Sequence, residues 1–169
     1  MAGAAAVASA VFAIAELGLP VEITAHLCLA ENMPGSSACR PGDVVTMRGG
    51  KTVELNNTDA EGRMVLADGL ALASEKKPDL IIDIATLTGA AVMALGNRTA
   101  AFMSNDDDLR MAVKDIADEA GEPFWPFPLL EDIRPTLDSS VADLLQSGPV
   151  GVIYAGWFLA EFVGNGKNG

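Results

Sequence analysis

Histidine and cysteine are almost missing from this sequence: one His and two Cys in 169 residues. His26, Cys28 and Cys39 stand at spacings that make no zinc finger, and two thiols are too few for a disulfide scaffold. They fit a reducing, cytoplasmic setting. His26 and Cys28 fall on one face of a candidate strand, where a buried structural role is expected. Basic residues are also few, 11 Lys and Arg against 23 Asp and Glu, for a formal net charge of −12. Binding nucleic acid or an anionic membrane needs clustered cations to meet the phosphates. The densest group here is Lys76-Lys77, which reads as the dipole-compensating end of a helix. No nucleic-acid or membrane partner is expected. Aromatics make up 5% of the chain, so the core must be aliphatic.

Long apolar runs are lacking too. The nearest is MAGAAAVASAVFAIA at the N-terminus, which Glu16 closes short of a bilayer span. It has none of the basic head of a signal peptide, since the first Lys or Arg is Arg40. It reads as a buried, alanine-rich helix over residues 2–17, stopped by Gly18 and Pro20.

What is present is a chain half hydrophobic by count, long enough for one domain with its own core. VEITAHLCLA (21–30) alternates like a strand. Pro34-Gly35 and Pro41-Gly42 punctuate a turn-rich stretch after it. VVTM and TVEL flank Arg48-Gly49-Gly50-Lys51 and read as a hairpin. Leu66, Leu70 and Ala73 share one face of a helix over 63–75. DLIIDIATL (79–87) is a continuous apolar run, the mark of a strand buried on both sides, and it ends in a glycine-containing turn. RTAAFMSN (98–105) adds another strand. Asn105 to Asp108 cap a helix running to Ala120. EPFWPFP (122–128) reads as a proline-rich loop, GVIYAGWFLAEFV (151–163) as a final helix, and 164–169 as a tail. Strand, helix, strand at this spacing implies an α/β fold with a mixed, largely parallel sheet flanked by helices.

The chemistry gathers in ELNNTDAEGRMVLADGL (54–70). Thr58-x-x-Glu61 matches a capping box, with Arg63 free to pair with Asp59 on the surface. The same residues suit a metal. In an extended segment Asp59 and Glu61 point to one side, at a strand end and a helix N-terminus, where open α/β folds keep their sites. Divalent cations favour such carboxylates, and Arg63 could hold an anion near them. Spacing alone leaves both readings open.

NTDAEGRM (57–64), with AENMPG (30–35), RPGDVV (40–45) and DLIIDIATLTGA (79–90), resembles the leucyl aminopeptidase, or cytosol aminopeptidase, family. The likeness runs from residue 1 to about 163. It implies part of a zinc-exopeptidase-like catalytic domain, and a two-metal enzyme using zinc or manganese to remove N-terminal residues such as leucine from peptides. By matching position, Asp59 and Glu61 are implied metal ligands, with Glu61 placed to bridge the ions. Arg63 resembles the catalytic arginine that holds a bicarbonate. Asn57, Leu87 and Gly89 match positions lining the substrate cleft. Leu87 also reads as an ordinary core residue, and Asn57 as a turn stabiliser.

The resemblance further implies a lysine and two aspartates as remaining ligands, and a catalytic lysine, all upstream of Met1. GPVGVIYAG is altered and shortened where the family has a glycine-rich approach to its last helix. The expectation is therefore part of a metallo-aminopeptidase catalytic domain over 1–163, inactive alone and belonging by resemblance to a hexamer. The alternative is a non-catalytic remnant serving as a binding or assembly module.

Overall fold

Gly49 and Gly50 both hold positive φ, 87° and 94°, a region where any Cβ would crowd the backbone. They turn the chain between β1 (Val44–Thr46) and β2 (Thr52–Glu54), which pair antiparallel with Val45 opposite Val53. This is the expected hairpin. The structure is a computed structural model and describes residues 1–164. The rest of the expected tail, 165–169, lies outside the described residues.

The other edge of β2 pairs in parallel with β5 (Leu144–Leu145), Val53 facing Leu144 and Glu54 facing Leu145. Between these partners the chain forms a 3-10 turn at Thr58–Ala60, then α2 (Glu61–Ser74) and α3 (Gly89–Leu95). Next come β3 (Ala100–Phe102), α4 (Asp107–Ala120) and β4 (Phe124–Pro126), with β3 and β4 parallel across the helix. Asp106 caps α4 through its side chain on the Leu109 amide at 2.8 Å. Gly121 closes it in the left-handed conformation. The mixed α/β class is as expected.

The core forms around α5 (Gly151–Ala160), in which Val152, Ile153, Tyr154, Ala155, Phe158 and Leu159 are all buried. A helix apolar on every side can only be satisfied inside. Val53 of β2, Ala67 and Leu70 of α2, Leu137 and Leu144 pack with it. Burying a side chain the size of Phe158 stabilises by about 2–3 kcal/mol. At the far end of α5 the Glu161 carboxylate takes both Lys51 of the hairpin and Arg134 of a second 3-10 turn, Arg134–Leu137.

Four expectations need correction. Residues 21–30 and 79–87 form no strand. A strand exists by its ladder, and the backbone bonds within 21–30 are only the local pairs Val21 to Leu19 and Leu29 to Leu27. Most of their apolar side chains are open to solvent, Ile82 by 67%, while Ile81 and Leu87 pack against the core. His26 and Cys28 are accordingly half-buried, the thiol donating to the His26 carbonyl at 3.8 Å. The first helix, α1 (Ala2–Glu16), forms where expected but is not buried. Gly3 alone is, because there the helix meets the Ile84 and Ala85 backbone. The proline-rich 122–128 is not all loop: Pro123 accepts from the Ala100 amide at 2.9 Å, and Phe127 donates to Phe102 at 2.8 Å. Prolines are tolerated because β4 has a free edge. α3 stands where the sequence indicated only a turn, started by Thr88 accepting from the Ala90 amide.

Val150, just before α5, sits at φ 58° and ψ 50° and is half exposed. A β-branched residue in the left-handed region costs about 1–2 kcal/mol, which glycine does not. Glycine loosens the unfolded chain by about 0.5–1 kcal/mol. Val150→Gly is expected to stabilise by about 0.5–1 kcal/mol, read as a higher midpoint in urea at unchanged slope.

Candidate functional site

The backbone ladder between β2 and β5 ends at Glu54 and Leu145, but the pairing does not. Side-chain amides carry it on. The Gln146 amide donates to the Glu54 carbonyl at 2.9 Å. Its side-chain Oε1 accepts from the Asn56 and Asn57 amides at 3.2 and 3.0 Å, and its Nε2 donates to the Ala60 carbonyl at 3.1 Å. The Asn56 side chain answers by donating to Ser147 O at 2.6 Å and accepting from Ser147 N at 3.0 Å. Asn57 Oδ1 then accepts from the Asp59 amide at 3.0 Å and starts the 3-10 turn.

This construction decides how the acidic loop is used. The capping box does not form: α2 begins after Ala60 with no side-chain cap. Thr58 does not cap, and Asn57 does so one residue earlier. Asp59 and Glu61 are both exposed, and among the described residues neither carboxylate has an ion-pair partner. Glu61 opens the first turn of α2, where the helix dipole favours negative charge.

Arg63 turns the other way. It is 6% exposed, donates Nη1 to the Gln146 carbonyl at 3.0 Å, and lies 6.0 Å from the ring centres of Tyr154 and Phe158. The expected surface pair with Asp59 is absent, because Arg63 lies on the core side of α2. Burial lowers its pKa, with Tyr154 opposing, but a guanidinium remains charged at any working pH. Its Nε has no partner among the described residues. A buried, unpaired donor on a cation is costly and fits an anion.

Tyr154 supports this arginine. Its hydroxyl donates to the Leu145 carbonyl at 2.7 Å. Burial pushes its phenol up to about 12, with Arg63 and Arg134 opposing. Gly148 makes room for the ring: a Cβ there would stand 2.2 Å from Tyr154 Cε2.

Leu87 is brought to the same place. A Cβ on Gly62 would lie 3.6 Å from Leu87 Cδ1, so Leu87 packs at the start of α2, between the acidic and basic positions. Gly89 is the exposed first residue of α3. Its neighbour Ala90 meets the start of α5, 2.9 Å from where a Cβ on Gly151 would stand. Asn57, Asp59, Glu61, Arg63 and Leu87 thus share one neighbourhood, with Gly89 at its margin. Among the described residues, no third His, Cys, Asp or Glu joins the two carboxylates into a metal-holding group. The pair therefore fits a divalent ion only as part of its donor set. Gln146, Asn56 and Tyr154 went unnoticed in the sequence. Only Tyr154, the single tyrosine, inside an apolar helix, offered a signal, since a buried hydroxyl needs a partner.

Residues 1–168 match the cytosol aminopeptidase family, catalytic domain. The chain is 59% identical over 168 residues to a probable cytosol aminopeptidase of Streptomyces griseus, covering 98% of this chain and 33% of that protein. It is 50% identical to one from Nocardia farcinica, covering 98% and 33%. The chain thus spans about a third of the length of the curated relatives it matches. Among solved structures it is similar to the bottromycin maturation enzyme BotP in complex with Mn, with TM-score 0.93 and 48% identity over 98% of this chain and 38% of that one.

Tyr154 gives the site an alkaline signature. Its folded pKa of about 12 lies above its ordinary 10.0, so the unfolded chain loses this proton first. The stability held by the neutral phenol is complete below pH 10 and is lost as the pH rises through about 12. Tyr154→Phe is expected to cost about 1 kcal/mol at neutral pH, for the lost hydrogen bond. It should also flatten the fall in stability above pH 10, as read by urea unfolding at a series of pH values.

Proposed function

The chain belongs to the cytosol aminopeptidase family, and from that premise we propose that its Asp59–Arg63 loop is the carboxylate-and-arginine portion of a divalent-metal aminopeptidase centre. The observation that carries this is the pairing of opposites at the start of α2. Among the described residues, the two exposed carboxylates have no ion-pair partner, and beside them a buried guanidinium keeps one donor unpaired. Beyond the helix-dipole gain of Glu61, neither arrangement helps the fold. Both suit ligands.

Asp59 and Glu61 would hold manganese or zinc, with further donors from outside this set. When bound, such ions polarise a peptide carbonyl and lower the pKa of a water. Arg63 would hold a small anion such as bicarbonate at its free Nε. Leu87 offers an apolar wall for the N-terminal side chain of a peptide, and Asn57 and Gly89 line the approach. The substrate class is a peptide with a free N-terminus, leucine-like residues fitting that wall. BotP, solved in complex with Mn, supports manganese as the first ion to test. We place the catalytic-domain part at 1–163 and the protein in the cytoplasm. Among the described residues no helix is long and apolar enough to cross a membrane.

A second reading, an assembly module, is favoured by the exposed apolar residues of α1 and of 21–30 and 79–87, Phe12 at 71% among them. Such surfaces promote association, and a hexamer is the proposed assembly. Light scattering is expected to find oligomers. A monodisperse monomer would count against this second reading.

Two carboxylates cannot complete the six or more oxygens, about, that a hard divalent ion takes. The chain alone is expected to bind Mn²⁺ weakly and to leave leucine anilides uncut. Asp59→Asn and Glu61→Gln should leave the metal-free melting temperature unchanged or slightly raised, since like charges then cease to repel. Glu61→Ala should cost well under the roughly 0.5–2 kcal/mol of a lost cap. In a chimaera carrying the preceding part of the Streptomyces griseus relative, Asp59→Asn should abolish hydrolysis of leucine anilide. Two tight Mn²⁺ sites in the chain alone, or full chimaera activity after Asp59→Asn, would contradict the proposal.

A further inference from the structure

Residues 56–59 are all exposed, and an exposed loop ordinarily samples several conformations. It ends in Asp59, and Glu61 follows two residues on at the start of α2, like charges that repel when no cation is present. Something must hold it. Among the described residues, the buried charged or amide side chains are those of Arg63 and Gln146, the latter 2% exposed.

We infer that Gln146 is the positioning residue of the Asp59–Glu61 pair, its buried side-chain amide fixing both ends of the loop that presents the two carboxylates. The inference rests on the metal reading proposed above. Both lone pairs of Oε1 are used, on the amides of Asn56 and Asn57, and Nε2 donates to Ala60 O just before Glu61. One orientation of the amide alone satisfies all three groups, because two are donors and one is an acceptor. The residue's own backbone is anchored twice, by donating to Glu54 O and accepting from Arg63 Nη1. Gln146 therefore ties the end of β2, the loop and the first turn of α2 to one point. Shape alone does not explain it. A buried side chain of that size needs no polar end to fill space, and this one spends every contact on the loop backbone.

Two substitutions separate shape from clamping. Gln146→Met keeps the volume and loses all three bonds. Gln146→Glu keeps the shape and accepts from both amides, but when ionised has no proton for Ala60 O. The experiment titrates Mn²⁺ into the full chain by electron paramagnetic resonance, with each variant's melting temperature recorded beside it. Asp59→Asn marks loss of the ligand itself. Leu137→Ala, a fully buried core change that removes none of these hydrogen bonds, is the control for lowered stability. Gln146→Met and Gln146→Glu are expected to weaken Mn²⁺ binding at least tenfold, while Leu137→Ala lowers the melting temperature and leaves the affinity within twofold. If Asp59→Asn weakens binding and the Gln146 variants do not, the inference is overturned and the metal reading stands. Equal losses in Leu137→Ala and the Gln146 variants overturn it too, leaving only a stability effect. If Asp59→Asn binds as the wild type does, the metal reading fails and the inference falls with it. Should the Gln146 variants not fold, hydrogen exchange on the wild type decides. The Asn56 and Asn57 amides are expected to be protected like that of Val53, and exchange at the rate of free loop amides would overturn the inference.

Discussion

The parallel pairing of β2 with β5 brings together stretches of chain some ninety residues apart, and most of the site hangs from that contact. It is short, Val53 with Leu144 and Glu54 with Leu145. Closing so long a loop costs entropy that two ladder positions cannot offset. The return comes from what the pairing buries: Val53, Leu144 and Leu137 against Tyr154 and Phe158 of α5. The same register sets Gln146 beside the acidic loop and Ser147 beside Asn56. A slip of one residue would turn Gln146 to the other face and leave the loop's backbone without its partners.

From this contact the charges sort themselves by depth. The carboxylates of Asp59 and Glu61 stay in water, where a charge without a partner costs little, and Glu61 gains from the helix terminus. The guanidinium of Arg63 goes inside, where it costs much unless hydrogen bonds and aromatic faces compensate. Gln146, Tyr154 and Phe158 provide that compensation in part, and Nε is left over. Core packing would have removed a leftover donor. Its presence is a local cost in stability, which the anion-binding role proposed for Arg63 would account for.

The two sides of the molecule contrast. Around α5 the packing is dense, and Glu161 joins Lys51 and Arg134 so that hairpin, turn and helix end are held together. Across 21–30 and 79–87 apolar side chains face solvent and backbone groups lack a ladder. Contact between the sides is made by Ile81 and Leu87 against the core, and at Gly69, where Cys28 Sγ would lie 2.3 Å from an added Cβ. The densely packed side carries most of the candidate site, with Leu87 reaching it from 79–87.

What the sequence by itself determined was local. The Gly49-Gly50 turn, the caps of α4, the apolar identity of α5 and the pairing of Asp59 with Glu61 in NTDAEGRM each lie within a few residues, where φ preferences, caps and periodicity act. The family could be named from such blocks for the same reason. Only the tertiary structure decided the rest. Whether 21–30 and 79–87 are strands depends on a ladder partner, which no local pattern specifies. That Asn57, not Thr58, starts the turn depended on Gln146, far along the chain, taking the neighbouring amides. Arg63 reads equally well as a surface partner of Asp59, and it went inward because Tyr154 and Phe158 arrive beside α2 from the last helix. Gln146 carries no signal at all in LLQSG. A lone glutamine gains its role only when β2 and β5 meet, because hydrogen bonds to a distant backbone leave no spacing in the sequence.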